Sequence, residues 1–463
     1  MKSQSKFLLI SLLLITSGCS KHVNPSSSIF DSSCDTSEII SDTTSESTNG
    51  PRLNLVNSIN ATEVKNDIEY LASNELGGRN PGTEGNELTT QFVANRFETL
   101  GLEPYKDDTY FQPFYQKRTK IPMSYPTLYT YNESSLEKTE YEYSVDWKLI
   151  PFEVPESAEY DLNYTFNINE ANENTILLAP RNVIPSFYDN YKYLLPISDD
   201  NFPFIEYGNG NYFDTDMTNG FKVYISTRMK ENIELDYLND QKKIHINWNY
   251  DISGKTINNV IGILRGGKAV NDGHIVISAH LDHLGRYGEK DHQYFPGALD
   301  NASGTAGMLQ LAKILSEVRD ELKINIVFAA YNSEEAGLLG SNFYPSDPAL
   351  PLSQNLKLVL NLDMIGSIAD NDSNLEIFGL YTNATKNRLT QIFEKFDISA
   401  YSFGPNQAVS DHYALSMYTI NSFTLCHYDT TYYHTLNDTI EYISESTLEK
   451  HLSAALYYLG YNI

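Results

Sequence analysis

Apolar and polar positions along this chain follow three rhythms in turn. Between residues 53 and 100 the apolar positions recur every three to four residues. Val64, Ile68, Tyr70 and Leu71 mark one helix, and Leu88, Phe92, Val93, Phe97 and Leu100 form the stripe of a second over roughly 86–100. The run Gly77, Gly78, Arg79, Asn80, Pro81, Gly82 between them predicts a turn. From about 118 to 251 the texture shifts to many Tyr, Asn and Pro with short alternating runs such as 221–225 and 243–248, which predicts a β-rich insertion. Beyond it, apolar runs at 275–279, 324–330 and 356–362 read as buried strands, 259–264 and 420–425 are strand-like, and Met308, Leu309, Leu311, Ala312 and Leu315 give a helix an apolar face. Strands alternating with helices predict an α/β fold, a mostly parallel central sheet flanked by helices, with the β-rich domain inserted.

The polar residues that matter sit where the apolar runs end. The run 275–279 leads into His280, Leu281, Asp282; residues two apart on a strand share a face, so the imidazole and the carboxylate project together. Asp300 precedes the helix that opens with Asn301, Ala302, Ser303 and Gly304. The run 324–330 exits into Glu334 and Glu335, the run 356–362 into Asp363, and the run 420–425 into a loop carrying His434. Each has a plain reading alone: a polar strand end, an acidic first turn, an exposed loop histidine. In a parallel sheet they would share one edge, the edge at which such sheets bind ligands. Ser410, Asp411 and His412 form a more ambiguous cluster, since Ser410 could simply cap a helix.

Composition narrows the partners. The net charge of −27 argues against nucleic acid, because phosphate binding needs clustered Lys and Arg, and it would mildly attract a cationic group such as a free α-amine. At the amino terminus Lys2 and Lys6 precede an apolar run, 7–15, too short to span a bilayer but right for a secretory segment. Residues 20–51 are Ser, Thr, Asp, Asn and Glu with few large apolar groups, which predicts a disordered tether. Three cysteines, Cys19, Cys34 and Cys426, specify no disulfide framework; were Cys19 modified, a bridge from Cys34 to Cys426 would be the one pairing left.

Thr16, Ser17, Gly18 and Cys19 resemble the lipobox of bacterial lipoproteins, with Thr16 in place of the usual Leu. That resemblance implies a signal peptide at 1–19, lipidation of Cys19, and a protein anchored to the membrane at the bacterial cell surface or in the periplasm. The segments AHLDHLG, GALDNASG, NSEEAGLLGS, NLDMIG, SDHYAL and YYHTLNDT together resemble the co-catalytic zinc aminopeptidase family, relatives of glutamate carboxypeptidase and glutaminyl cyclase. YLASNELGGRNPGTEGNE extends the likeness toward the amino terminus, while 118–251 has no counterpart. The resemblance implies a zinc-exopeptidase domain over 52–117 and 252–463; the unmatched 118–251, read from its β-rich texture alone, would be a lid, a protease-associated-like module or a passive decoration. It implies two Zn2+, with Mn2+ or Co2+ as substitutes: His280 and Asp363 on one, Glu335 and His434 on the other, and Asp300 bridging. Glu334 would be the general base toward a metal-bound water, and Asp282 would orient His280 by accepting from its second ring nitrogen. Asp411 and His412 would be candidates for the substrate side. The expected activity is removal of amino-terminal residues from peptides with a free amine. Carboxypeptidase action, glutaminyl cyclisation, or peptide binding without cleavage are the alternatives.

Overall fold

The structure, a computed structural model, describes residues 53–463 apart from 118–120, 123, 144–145, 150–156, 168–174, 181–192, 198–220, 226, 252, 272, 288–292, 354, 369–374 and 430. The expected signal segment, the tether, Cys19 and Cys34 lie outside the described residues.

A nine-stranded sheet carries the site. Its strands are β1 Glu103–Pro104, β2 Phe111–Gln116, β3 Lys255–Leu264, β4 His274–His280, β5 Asn325–Tyr331, β6 Leu356–Leu362, β7 Leu375–Leu380, β8 Tyr401–Gly404 and β9 Ser422–Cys426. They are ordered β1-β3-β5-β4-β6-β9-β7-β8, with β2 also on β3. The parallel arrangement expected from the sequence holds for the centre, β5-β4-β6-β9; β3 is antiparallel to β5, and β7 antiparallel to β9. From β4 the chain passes to β5 on one side and then to β6 on the other, so the connections diverge above the β4/β6 pair. That reversal opens the crevice in which α/β sheets place ligands.

The helices longer than ten residues are α1 Ala61–Leu71, α2 Glu84–Thr99, α3 Thr227–Leu238, α4 Gly304–Glu317, α5 Asn383–Lys395 and α6 Glu445–Leu459. Every residue of β4 is buried, and the strand period divides its side chains between two cores. Ile275, Ile277 and Ala279 pack with Ile68 of α1, Phe97 of α2, Leu311 of α4 and Leu452 of α6. Val276 packs on the opposite face with Val327, Val359, Leu350 and Leu352. Both faces covered is what a solid, non-alternating apolar run requires. Where α4 starts against β6, a Cβ on Gly304 would lie 2.3 Å from the Leu362 carbonyl oxygen, so only glycine allows that approach.

A second nine-stranded sheet is built from strands between Ile121–Pro122 and Lys243–Asp251, with Lys243–Asp251 paired to Thr127–Tyr131 on one side and Ser157–Thr165 on the other. Its buried side chains are aromatic and aliphatic: Trp147, Tyr164, Ile244, Ile246 and Trp248 among them. The β-rich texture did not disclose α3, which packs on this sheet through Met229, Ile233 and Tyr237, a single file of side chains one turn apart in a segment otherwise mostly polar.

Candidate metal centre at the edge of the core sheet

The carboxyl ends of β4, β5 and β6 deliver the first donors. His280 closes β4, Glu334 and Glu335 follow β5, and Asp363 follows β6. Asp300 arrives from an irregular turn, Ala298–Ser303, ahead of α4. Two sets of bonds hold that turn. The Asp438 carboxylate accepts from the Leu299 and Asp300 amides at 2.8 and 3.0 Å. The Asn301 side chain donates to the Leu362 carbonyl at 3.0 Å and accepts from the Gly304 and Met364 amides at 2.9 and 3.1 Å, tying the turn to the end of β6.

The donor atoms form two groups, each gathered within 4.8 Å, that share Asp300. In the first, His280 Nε2 lies 3.3 Å from Asp300 Oδ1 and 3.2 Å from Asp363 Oδ1. In the second, His434 Nε2 lies 3.0 Å from both Asp300 Oδ2 and Glu335 Oε2, and His283 Nδ1 lies 2.8 Å from Glu335 Oε1. The second oxygen of Asp363 accepts from the Ser410 hydroxyl at 2.6 Å, so Ser410 acts on the site and does not cap a helix through its side chain.

The charge balance tests whether metal ions fit. Asp282, Asp300, Asp363, Asp411 and Asp438 are buried here, with Glu334 and Glu335 at their rim. Arg79 is the buried arginine nearby, yet its guanidinium donates to the carbonyls of Leu71, Leu281, Pro296 and Gly297 at 2.5 to 3.0 Å. Burial alone would lower the His280 imidazole, but Asp363, Glu334 and Asp300 hold it well above its usual range. Burial likewise opposes His434, which Glu335 and Asp300 carry up to about 9. So many carboxylates around so few cations call for added positive charge, and imidazole with carboxylate donors suits zinc. The residues present fit the metal.

Glu334 belongs to neither donor group. Burial pushes its carboxyl well above the ordinary range, with Glu335, Asp411 and Asp363 acting the same way against His280. Asp282 departs from the expected role. Its carboxylate is 3.9 Å from His280 Nδ1, which instead faces the Asp282 carbonyl oxygen at 3.3 Å. The carboxylate accepts from the Glu334 and Glu335 amides at 3.1 and 3.3 Å, because the chain leaving β5 bends over it. Asp282 therefore orients the paired glutamates. His412 also differs from its expected placement: a one-turn helix, His412–Leu415, lays the ring against β9, with Nδ1 2.7 Å from Thr424 Oγ1, away from the donors. Asp411 stays near them, its carboxyl raised to about 6 by burial, with Asp363 adding to the shift and His280 opposing it.

Three participants went unassigned in the sequence although each stands inside a quoted motif: His283 in AHLDHLG, Asp438 in YYHTLNDT and Arg79 in ELGGRNPG. Arg79 staples the loop after β4 to residues 296 and 297. The same loop is held from above, since Leu284, Tyr287 and Phe295 pack into the core of the inserted sheet, where Tyr287 meets Tyr125 and Tyr143 at 5.9 and 6.0 Å. Leu436, two residues past His434, joins that core too.

With this geometry in place, similarity to known proteins has a definite location. Residues 259–459 match the model of Peptidase family M28. Over 210 residues, 43% of this chain and 43% of the relative, the sequence is 28% identical to the aminopeptidase YwaD of Bacillus subtilis. Over 148 residues, 31% of this chain and 27% of the relative, it is 34% identical to a probable leucine aminopeptidase 2 of Trichophyton verrucosum. The chain thus spans less than half the length of these curated relatives. A solved zinc aminopeptidase from Bacillus subtilis aligns with TM-score 0.61 at 21% identity, covering 86% of this chain and 94% of that one, a likeness of fold. The family resemblance and the α/β architecture expected from the sequence both hold.

Proposed function

We propose that the chain is a metallo-aminopeptidase that hydrolyses the amino-terminal residue from peptides using two zinc ions. The observation that carries this reading is the sharing of Asp300 between two donor groups, with Glu334 beside both and a member of neither. His280 and Asp363 would hold one ion, Glu335 and His434 the other, and Asp300 both. When bound, the ions polarise the scissile carbonyl and acidify an attacking water. Glu334 takes the proton from that water and returns it to the leaving amine, since it stands beside both donor groups and is a member of neither. Asp282 holds the backbone that aims Glu334, and Asp438 and Asn301 hold Asp300. The aminopeptidases of Bacillus and Trichophyton support the choice of a free amino terminus.

Turnover of aminoacyl-nitroanilides before and after chelation and zinc return tests the activity. Glu334→Gln should keep its metal and lose hydrolysis by about 10²- to 10⁴-fold. Undiminished turnover in that variant removes Glu334 from the mechanism. We further propose that Cys19 is lipidated and tethers the enzyme outside the cytoplasm, on the strength of Lys2, Lys6, the apolar run 7–15 and the small residues before Cys19. Labelling with a tritiated fatty acid that persists in Cys19→Ser would refute it.

A further inference from the structure

The two halves of the site differ in how many protein donors they offer. The half built on His280 and Asp363 has three donor atoms, counting Asp300; the half built on Glu335 and His434 has a fourth neighbour, His283. In a tetrahedral zinc site with bonds of ~2.0–2.1 Å, ligand atoms lie about 3.3 Å apart. His283 Nδ1 stands 2.8 Å from Glu335 Oε1 and 3.7 Å from Asp300 Oδ2, which brackets that value. His434 Nε2, on the other side of the same two carboxylates, stands at 3.0 Å from each. The His283 ring is fully buried, and its Nε2 has no hydrogen-bond partner, so the polar contacts of the ring run through Nδ1. Its position is also fixed from behind. Gly297 adopts φ +60°, and a Cβ there would lie 2.5 Å from His283 Cδ2.

We infer that His283 is a metal ligand through Nδ1, so that one ion is enclosed by four protein donors, Asp300, Glu335, His434 and His283, while the other keeps three and an open position. The inference rests on the dinuclear reading above. Within that shared chemistry it gives the two ions different freedom: both would contribute positive charge, and the ion at His280 and Asp363 would be the one with a position left for a substrate atom. Catalytic zinc sites keep an open position and structural ones close it.

The test compares wild type, His283→Ala and His283→Asn, each loaded with Zn2+ and dialysed against a graded series of chelator concentrations, with metal counted by mass spectrometry. Asparagine can still donate a hydrogen bond to Glu335 from the Nδ1 position but does not replace imidazole as a ligand. Wild type is expected to lose one ion well before the other, and both variants to lose the retained ion at about tenfold or more lower chelator. A zinc-loaded crystal structure should place His283 Nδ1 about 2.0–2.1 Å from the enclosed ion. If His283→Asn retains both ions as wild type does, and Nδ1 in the loaded structure donates to Glu335 instead, His283 is a positioning residue and the inference is overturned, with the dinuclear reading intact. A wild-type protein that takes up no divalent ion removes both. Should His283→Ala not fold, judged by circular dichroism, the asparagine variant and the loaded structure still decide.

Discussion

The two sheets of this molecule bury polar chemistry in opposite ways. At the edge of the core sheet, carboxylates and imidazoles are packed out of water within a few ångströms of one another, held by backbone amides on Asp438 and Asp282 and by the Ser410 hydroxyl on Asp363. In the inserted sheet the buried carboxylates have partners of their own: Asp236 accepts from Thr130 Oγ1 at 2.5 Å, Tyr141 Oη at 2.6 Å and Thr139 Oγ1 at 3.0 Å, and Asp146 accepts from the Arg228 guanidinium at 2.7 and 2.9 Å. The rest of that core is aromatic and aliphatic. A region satisfied by its own hydrogen bonds is complete when folded. One that concentrates like charge is complete only with a counter-ion, because unpaired buried charge costs several kcal/mol per group. Stability of the first region should follow packing, and that of the second should follow metal and pH.

The largest effect expected from this contrast is at Asp300, the one residue in both donor groups. Asp300→Ala should empty both halves, lowering hydrolysis by about 10⁴-fold or more, in the range seen when a catalytic unit loses a member. Two tightly held zinc ions in that variant, counted by mass spectrometry, would contradict the shared-donor geometry. Next in size is Trp248→Ala in the inserted sheet, where a fully buried indole leaves a cavity worth about 3–5 kcal/mol. Urea unfolding should reveal that loss while zinc content stays at the wild-type level. A simultaneous loss of zinc would show that Tyr287, Phe295 and Leu436 transmit the insertion's packing to the metal loops, and the contrast between the regions would have to be redrawn.

The same contrast explains what was legible in the sequence. The central strands could be placed because they are buried on both faces and read as largely apolar runs, of which the Ile275–Ala279 stretch of His274–His280 is the clearest case. His280, Glu335 and Asp363 stood out together because each has a plain explanation alone, while their common place at the ends of strand-like runs has none. The antiparallel flank was hidden, since Lys255–Leu264 has the composition of a parallel strand and only its partner's direction differs. The true partners of Asp282 were equally hidden, because they are main-chain amides and carry no sequence signature. His283 was in view but one residue past the familiar pair, and what marks it is a 2.8 Å approach to Glu335 that spacing along the chain does not encode.

A smaller effect is expected at Asp438, which acts on the metal site only through the turn it grips. Asp438→Asn keeps one acceptor oxygen and loses the other, so one of the Leu299 and Asp300 amides is left without its partner. Changes in groups that orient a ligand typically weaken metal binding 10- to 100-fold, and the zinc affinity of this variant should fall in that range, with unfolding stability in urea lowered by about 1–3 kcal/mol for the amide left unpaired. Wild-type affinity would mean that Asn301 alone suffices to hold Asp300.

The smallest effect separates burial from metal chemistry within the core region itself. His412 is buried under the site edge, and burial lowers its imidazole to about 4, so it is neutral at physiological pH. An unfolded chain returns it to its ordinary value of about 6.5. Between those values the unfolded state binds more protons than the folded one, so stability rises with pH from about 4 to 6.5 and is fully present above that window. The contribution is on the order of 1–2 kcal/mol after relaxation of the ring's surroundings. His412→Asn offers a hydrogen-bonding atom at the Nδ1 position toward Thr424 and cannot titrate there. In metal-free protein, urea midpoints of wild type should therefore drop more steeply than those of His412→Asn as the pH is lowered from 7 to 4.5. Parallel curves would place the acid sensitivity of the core sheet wholly in the donor groups, and the folded protein would tolerate a charged His412.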